Sequence, residues 1–324
     1  MSDKKKVLVT RKLPEAVEAR IARDYDAEFN PTDALFSTDD LLARAEGKFA
    51  IIPCHTEKFT ADVFRRLPDS VKAICNFSVG YDHVDVAAAK EKGVIVTNTP
   101  DVLSDATAEI AMLLLLGAAR RAGEGEMLVR AREWKDWSPA FMVGRQVTGK
   151  RLGVLGMGRV GQVFAARAAR GLDMEIHYHN RSRLEPAAEQ ALGATYHDTV
   201  AGLLQVSDFL SIHCPATPET TGLINAETLA LLPKGAVVVN TARGAVVDDN
   251  ALVAALKSGH LFAAGLDVFN GEPDIHPGYR GLKNVFLLPH IGSATRETRD
   301  AMGFRALDNL DAIVSGREPG DRVA

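Results

Sequence analysis

The sequence predicts an α/β fold built on parallel sheets in two units, and three observations carry that expectation. Short apolar segments alternate with helix-forming segments along the chain. The strand-like segments, such as Val237-Val238-Val239, are apolar throughout, the pattern of strands covered on both faces. Gly156-Met157-Gly158-Arg159-Val160-Gly161 follows the apolar run Leu152 to Leu155 and opens a helix-like stretch, the setting in which a glycine motif receives a dinucleotide pyrophosphate. Gly156 permits the tight turn, Gly158 lets backbone N–H groups approach the anion, and Gly161 lets the helix sit close to its strand. The helix N-terminus then faces the phosphates.

In chain order, residues 5 to 10 read as a buried strand, Pro14 to Arg23 as a helix and Ala50-Ile51-Ile52 as a second strand. Phe59 to Arg66 and Val84 to Lys92 read as helices, each followed by a strand, Val71 to Phe77 and Val94 to Thr97. A crossing between units is expected near Pro100, before a long apolar helix from Asp105 to Arg121 with Ser104 and Asp105 as candidate caps. Trp134 to Pro139 breaks regularity. The second unit reads as strands at Arg151 to Leu155, Met174 to Tyr178, Phe209 to His213, Ala236 to Thr241, Ala263 to Val268 and Val285 to Leu288. Helices are expected at Gly161 to Arg170, Ala187 to Leu192, Ala226 to Leu232 and Asn250 to Lys257. Thr295 to Val314 reads as an amphipathic helix returning to the first unit, which makes that unit discontinuous.

A chain of 324 residues, 46% hydrophobic and 25% charged, can bury two sizeable cores. The net charge of −4, with basic residues scattered, points away from nucleic acid and anionic membranes and toward small molecules. Cys54, Cys75 and Cys214 are odd in number and lack metal-ligand spacing, and no secretory apolar region follows Met1 to Lys6. The expected home is the cytoplasm. Ile110 to Ala119 is far short of the ~20 residues that cross a bilayer.

Arg243, Glu272 and His290 each follow an expected strand, so all three belong to the carboxyl rim where a doubly wound sheet binds its ligand. Carbonyl reduction needs such a set. Arg243 can grip a carboxylate with a planar donor fork, His290 can supply a proton, and Glu272 can favour the imidazolium. Plainer roles are open to each: a surface ion pair for Arg243, a turn carboxylate before Pro273 for Glu272, and packing after Pro289 for His290. His213 also follows a strand and His276 is nearer Glu272 in sequence, so position alone does not choose the acid. His177 and His179 offer two ligands without an evident third, and no metal is expected.

The motifs Thr241-Ala242-Arg243-Gly244, Asn270-Gly271-Glu272-Pro273 and Pro289-His290-Ile291-Gly292-Ser293 resemble those of D-2-hydroxyacid dehydrogenases. Ser78 to Asp85, Asp105 to Glu109 and Leu152 to Gly161 extend the resemblance over nearly the whole chain. It implies two Rossmann-like domains: a substrate-binding domain of residues 1–101 with 292–324, and a dinucleotide-binding domain of 102–291 inserted in it. Arg243, Glu272 and His290 are then the catalytic set, hydride passes from the nicotinamide to the keto carbon, and His290 donates to the oxygen. Val79 and Gly80 would clamp the substrate carboxylate through backbone N–H groups, with Ser293 and Arg243 also contacting substrate. Arg159 and Val160 would lie at the pyrophosphate, Cys214 and Pro215 near adenine, and Thr220 at the cofactor edge. Thr107 and Asp267 would lie toward the nicotinamide end, and Thr241 and Ala242 would also contact the cofactor. A homodimer through the cofactor domain is implied.

An NAD site wants a carboxylate at the end of the second strand, about twenty residues past the glycine motif. Glu175 begins that strand, while its end reads His179-Asn180-Arg181-Ser182-Arg183. Two guanidiniums and a hydroxyl without a nearby acid suit a 2′-phosphate, so NADP(H) is expected over NAD(H), with Asn180, Arg181 and Ser182 at the contact. A solvated basic turn is the plainer alternative. Glu133 to Pro139 and Pro289 to Arg299 most resemble glyoxylate and hydroxypyruvate reductases, which implies a small 2-keto acid as substrate, and Trp137 is a candidate for closing a partner subunit's pocket. The rival readings are a dinucleotide-sensing scaffold without turnover and a dehydrogenase of another 2-hydroxy acid, such as a sugar acid.

Overall fold

The computed structural model describes residues 4–324. The chain forms two compact units, one of the described residues up to Leu103 with Ser293–Ala324, the other Ser104–Gly292. Both are α/β with all-parallel sheets.

The first unit runs β1 (Lys6–Val9), α1 (Glu15–Asp24), β2 (Asp26–Glu28), α2 (Thr38–Ala45), β3 (Ala50–Ile52), α3 (Ala61–Arg66), β4 (Ala73–Cys75), α4 (Val86–Lys92) and β5 (Ile95–Thr97). The sheet order is β2-β1-β3-β4-β5. Two apolar layers, one around Leu8, Ile51 and Ile74 and the other around Val7, Val9 and Ile52, cover opposite faces, as period-two side-chain alternation requires. The later α12 (Arg296–Val314) joins the second layer through Met302, Ala306, Leu307 and Leu310, spaced to share one helix face. Its return is fixed by Arg20, which bonds Asp308 and Asp311 at 2.9 and 2.6 Å. Past the helix, Val323 donates to Val96 O, so the chain's end covers the β5 edge.

The second unit opens with α5 (Ser104–Ala119) and α6 (Ala122–Arg130), then β6 (Arg151–Leu155), α7 (Arg159–Leu172), β7 (Glu175–His179), α8 (Pro186–Leu192), β8 (Ala194–Tyr196), α9 (Val200–Val206) and β9 (Phe209–Ile212). It closes with α10 (Ala226–Leu229), β10 (Ala236–Asn240), α11 (Asp249–Lys257), β11 (Leu261–Leu266) and β12 (Val285–Leu287). The order β12-β11-β10-β9-β6-β7-β8 reverses between β6 and β9, and that is the crevice where such sheets take ligands. α5 buries one face in the core, with Leu114 and Leu115 at 0% exposure, while Leu113 and Leu116 on its other side stay exposed. No helix among the described residues is long and apolar enough to cross a membrane.

Several details differ from the sequence reading. Ser104 and Asp105 lie inside the first turn of α5 rather than capping it, α7 begins at Arg159 instead of Gly161, and α10 stops at Leu229. β2 and β8 escaped notice because they are three-residue edge strands without an apolar run. α6 contains two glycines, which weaken a helix signal. α2 also went unread, although its signal is local: Ser37 caps it by accepting from Asp40 N at 3.1 Å, a Ser three residues before an acid.

Candidate active site

The glycine loop after β6 has three distinct local requirements. Gly156 has φ +98°, and a Cβ there would lie 2.5 Å from Cys214 N, so only glycine fits. A Cβ on Gly161 would meet Gly156 O at 2.3 Å, because α7 lies tight against its own strand turn. Around Gly158, which caps the 14-residue α7, a Cβ would meet nothing within 4 Å. The loop is closed where the fold needs contact and open where a pyrophosphate would approach the helix end, so these residues fit a dinucleotide. Cys214 and Pro215, after β9, adjoin this loop at the reversal, since His213 donates from its backbone to Leu155 O. Thr220 shapes the following turn, accepting from Thr217 N and donating to Pro215 O.

At the end of β7, Glu175 occupies the opening position and His179 the last, so no acid stands where a ribose 2′-hydroxyl would want one. Asn180 folds the turn by donating to Ser182 O at 2.9 Å. Arg181 and Ser182 are exposed. The expectation that both guanidiniums lack a nearby acid is corrected: Arg183 pairs with Glu189 through two 2.8 Å bonds. Glu189 sits six residues later on a helix whose facing direction the sequence did not reveal.

Arg243, Glu272 and His290 come together through the loops after β10, β11 and β12. Asn240 is 1% exposed and clasps the first loop, accepting from Ala242 N and donating to Arg243 O, both at 2.9 Å. The guanidinium of Arg243 also donates to Ala242 O at 2.8 Å. Gly244 lies so close to the second loop that a Cβ would approach Phe269 C to 2.0 Å, which sets Arg243 beside the Glu272 segment. Glu272 accepts from Phe269 N at 2.7 Å through Oε1, while Oε2 lies 2.7 Å from His290 Nδ1. The two side chains retain 28% and 30% exposure, so a substrate can reach them.

Asp267, expected from the resemblance at the nicotinamide end, also anchors the His290 loop, a role the sequence reading did not give it. It is 1% exposed and accepts from Ile291 N at 2.8 Å and Gly292 N at 2.7 Å. These are the two residues after His290, whose own backbone is left-handed at φ +55°. Such a conformation is costly for a non-glycine residue and persists where neighbouring bonds hold it. Burial raises the Asp267 carboxyl above its ordinary range, and the two N–H bonds and the charge of His290 draw it back. A Cβ on Gly292 would fall 3.2 Å from Asp267 and 3.5 Å from Thr107, placing Thr107, Asp267 and the His290 loop in one corner.

The other histidines separate from His290 on geometry. His213 bonds Ser211 Oγ at 2.8 Å and lies 3.4 Å from Thr241 Oγ1; no carboxylate among the described residues hydrogen-bonds it, and burial pushes it down to about 3. His276 accepts from Gly278 N, an ordinary helix-cap role. His177 Nδ1 lies 3.1 Å from His197 Nε2, a partner absent from the sequence reading. In the first unit, Val79 and Gly80 follow β4, and their carbonyls accept from Asn98 and Ser78 at 2.8 and 2.7 Å. Among the described residues of their own unit, their N–H groups meet no backbone acceptor. Ser293 precedes α12, accepting from Thr295 N.

The family profile described as D-isomer specific 2-hydroxyacid dehydrogenase, NAD binding domain, matches residues 112–292. The chain is 45% identical over 315 residues to the glycerate dehydrogenase of Hyphomicrobium methylovorum, covering 97% of this chain and 98% of that one. It is 42% identical over 324 residues to the glyoxylate reductase of Thermococcus litoralis, covering 99% and 97%. A crystal structure of the NADPH-dependent glyoxylate/hydroxypyruvate reductase of Sinorhizobium meliloti with NADP and malonate superposes with a TM-score of 0.86, at 33% identity and coverage of 99% and 97%.

Proposed function

Because the chain belongs to the D-isomer specific 2-hydroxyacid dehydrogenase family, we propose that it reduces glyoxylate or hydroxypyruvate to the 2-hydroxy acid with NADPH. The observation that carries this reading is the hydrogen-bonded His290–Glu272 pair beside Arg243 on the ligand-binding rim of the sheet.

When bound, the nicotinamide cofactor supplies the hydride that reaches the keto carbon. Arg243 takes the carboxylate and polarises the neighbouring carbonyl, a role suited to a permanently charged planar fork. Glu272 engages Nδ1 of His290, and Nε2 carries the proton given to the carbonyl oxygen. The neutral imidazole then regains its proton from solvent. Asp267 holds the backbone that aims His290. Val79 and Gly80 complete the carboxylate clamp with their N–H groups, and Ser293 contributes a further substrate contact.

For the cofactor, Gly156, Gly158, Arg159, Val160 and Gly161 hold the pyrophosphate, and Cys214, Pro215 and Thr220 border the adenine side. Thr107, Thr241, Ala242 and Asp267 border the nicotinamide end. Asn180, Arg181 and Ser182 receive the 2′-phosphate; the lack of an acid at the end of β7 supports this, as does a relative solved with NADP. The same chemistry run backward oxidises glycerate, the hydroxy acid of hydroxypyruvate, and the Hyphomicrobium relative favours keeping that direction in view. Exposed Leu113, Leu116, Met127, Val129, Trp134 and Trp137 support a homodimer built on the second unit; a cytoplasmic setting is part of the same proposal.

NADPH and NADH oxidation, each assayed with glyoxylate and with hydroxypyruvate, tests the reading. Turnover with a higher kcat/KM for NADPH is expected, falling in Arg181→Ala. NADPH binding without turnover on any 2-keto acid would favour the sensing scaffold, and activity confined to larger hydroxy acids would favour the sugar-acid alternative.

A further inference from the structure

The turn after β7 carries two guanidiniums that are held differently. Arg183 donates from Nε and Nη2 to both oxygens of Glu189, at 2.8 Å each. Glu189 also accepts from the Tyr178 hydroxyl, which in turn accepts from Leu184 N at 3.0 Å. Tyr178 is 0% exposed and the Glu189 side chain only 12%, so the carboxylate is pinned from its buried side. The bonds from Arg183 and Tyr178 hold the Glu189 carboxyl down at about 2, and it stays charged at any working pH. The Arg183 guanidinium further lies 5.4 Å from the centre of the Tyr196 ring. Arg181 has no hydrogen-bonded carboxylate among the described residues, and Glu219 reaches it only through longer-range attraction.

A lone exposed ion pair would hold Arg183 weakly. Here a two-pronged contact to a pinned carboxylate and an aromatic face restrain the same group. A phosphate arriving at this turn therefore meets one guanidinium whose charge and donors are already matched, and one whose donors are not.

We infer that Glu189 is a specificity-determining residue: by holding Arg183, it limits how strongly the turn prefers a 2′-phosphate to a 2′-hydroxyl. This rests on the proposed placement of the ribose end at Asn180–Ser182, but its sign does not depend on which cofactor the wild type prefers.

Calorimetric titration of the full chain with adenosine 2′,5′-bisphosphate and with 5′-AMP tests the inference without nicotinamide or turnover. Glu189→Gln keeps an acceptor for Tyr178 while releasing Arg183. Bisphosphate affinity rises about tenfold, the scale of one charge-assisted hydrogen bond, and 5′-AMP affinity stays within about twofold. Arg183→Gln leaves both affinities within about twofold of wild type, and the double variant returns to the wild-type values. No gain in Glu189→Gln, a parallel loss of both ligands in it, or a tenfold loss of the bisphosphate in Arg183→Gln would each overturn the inference. Equal binding of both ligands by the wild type, unchanged in Arg181→Ala, would instead overturn the NADPH reading, and the Glu189→Gln comparison would still decide this one.

Discussion

Glu272 and His290 meet at 2.7 Å, Oε2 to Nδ1, while the other oxygen of Glu272 is tied to the backbone of its own loop at Phe269. The carboxylate is thus fixed before it orients the imidazole through Nδ1. Glu272→Gln keeps the shape of this contact but removes its charge. The expected result is a fall in kcat of about tenfold or more with cofactor affinity unchanged, checked by steady-state kinetics beside direct NADPH titration.

Two glycines of the loop after β6 should respond differently to one added methyl. Gly158→Ala meets open space, so its melting temperature stays near wild type while dinucleotide affinity drops about tenfold or more. Gly161→Ala must push against Gly156 O, and a stability loss of about 1–3 kcal/mol is expected. Thermal melts and cofactor titrations of the two variants separate these effects.

His213 gives the acid limb of stability a definite sign. Its folded-state value is pushed down to about 3, whereas an unfolded histidine takes a proton near about 6.5. Stability is therefore lost as pH falls below about 6.5, because only the unfolded chain binds that proton until pH nears 3. In His213→Gln, the drop in unfolding free energy between pH 7 and pH 5 shrinks by about 2 kcal/mol, measured by denaturant titration at both pH values.

Arg243→Lys keeps the charge and loses the fork. Hydroxypyruvate kcat/KM should fall by about tenfold or more, chiefly through a weaker productive complex, with cofactor binding retained. An unaltered kcat/KM would remove Arg243 from the carboxylate.

Most of the fold was legible because buried parallel strands are written as uninterrupted apolar runs, and the glycine motif identifies its own strand and helix. The edge strands β2 and β8 were not, since polar three-residue segments carry no periodicity. At the site, Arg243, Glu272 and His290 were visible as polar residues after strands, yet which histidine faces Glu272 depends on loop closure. The Asp267 bonds to Ile291 and Gly292 span 24 and 25 residues, and no local pattern announces them. The Arg183–Glu189 pair was missed for a different reason: the six-residue separation crosses a turn, so helical spacing rules did not apply.

The most direct measurement is hydroxypyruvate reduction by His290→Asn beside the wild type, with NADPH binding followed separately. A loss of turnover on the order of 10²-fold or more, with cofactor affinity nearly intact, is the expected result for a missing proton donor. Near-normal turnover in that variant would contradict the assignment of His290 as the acid.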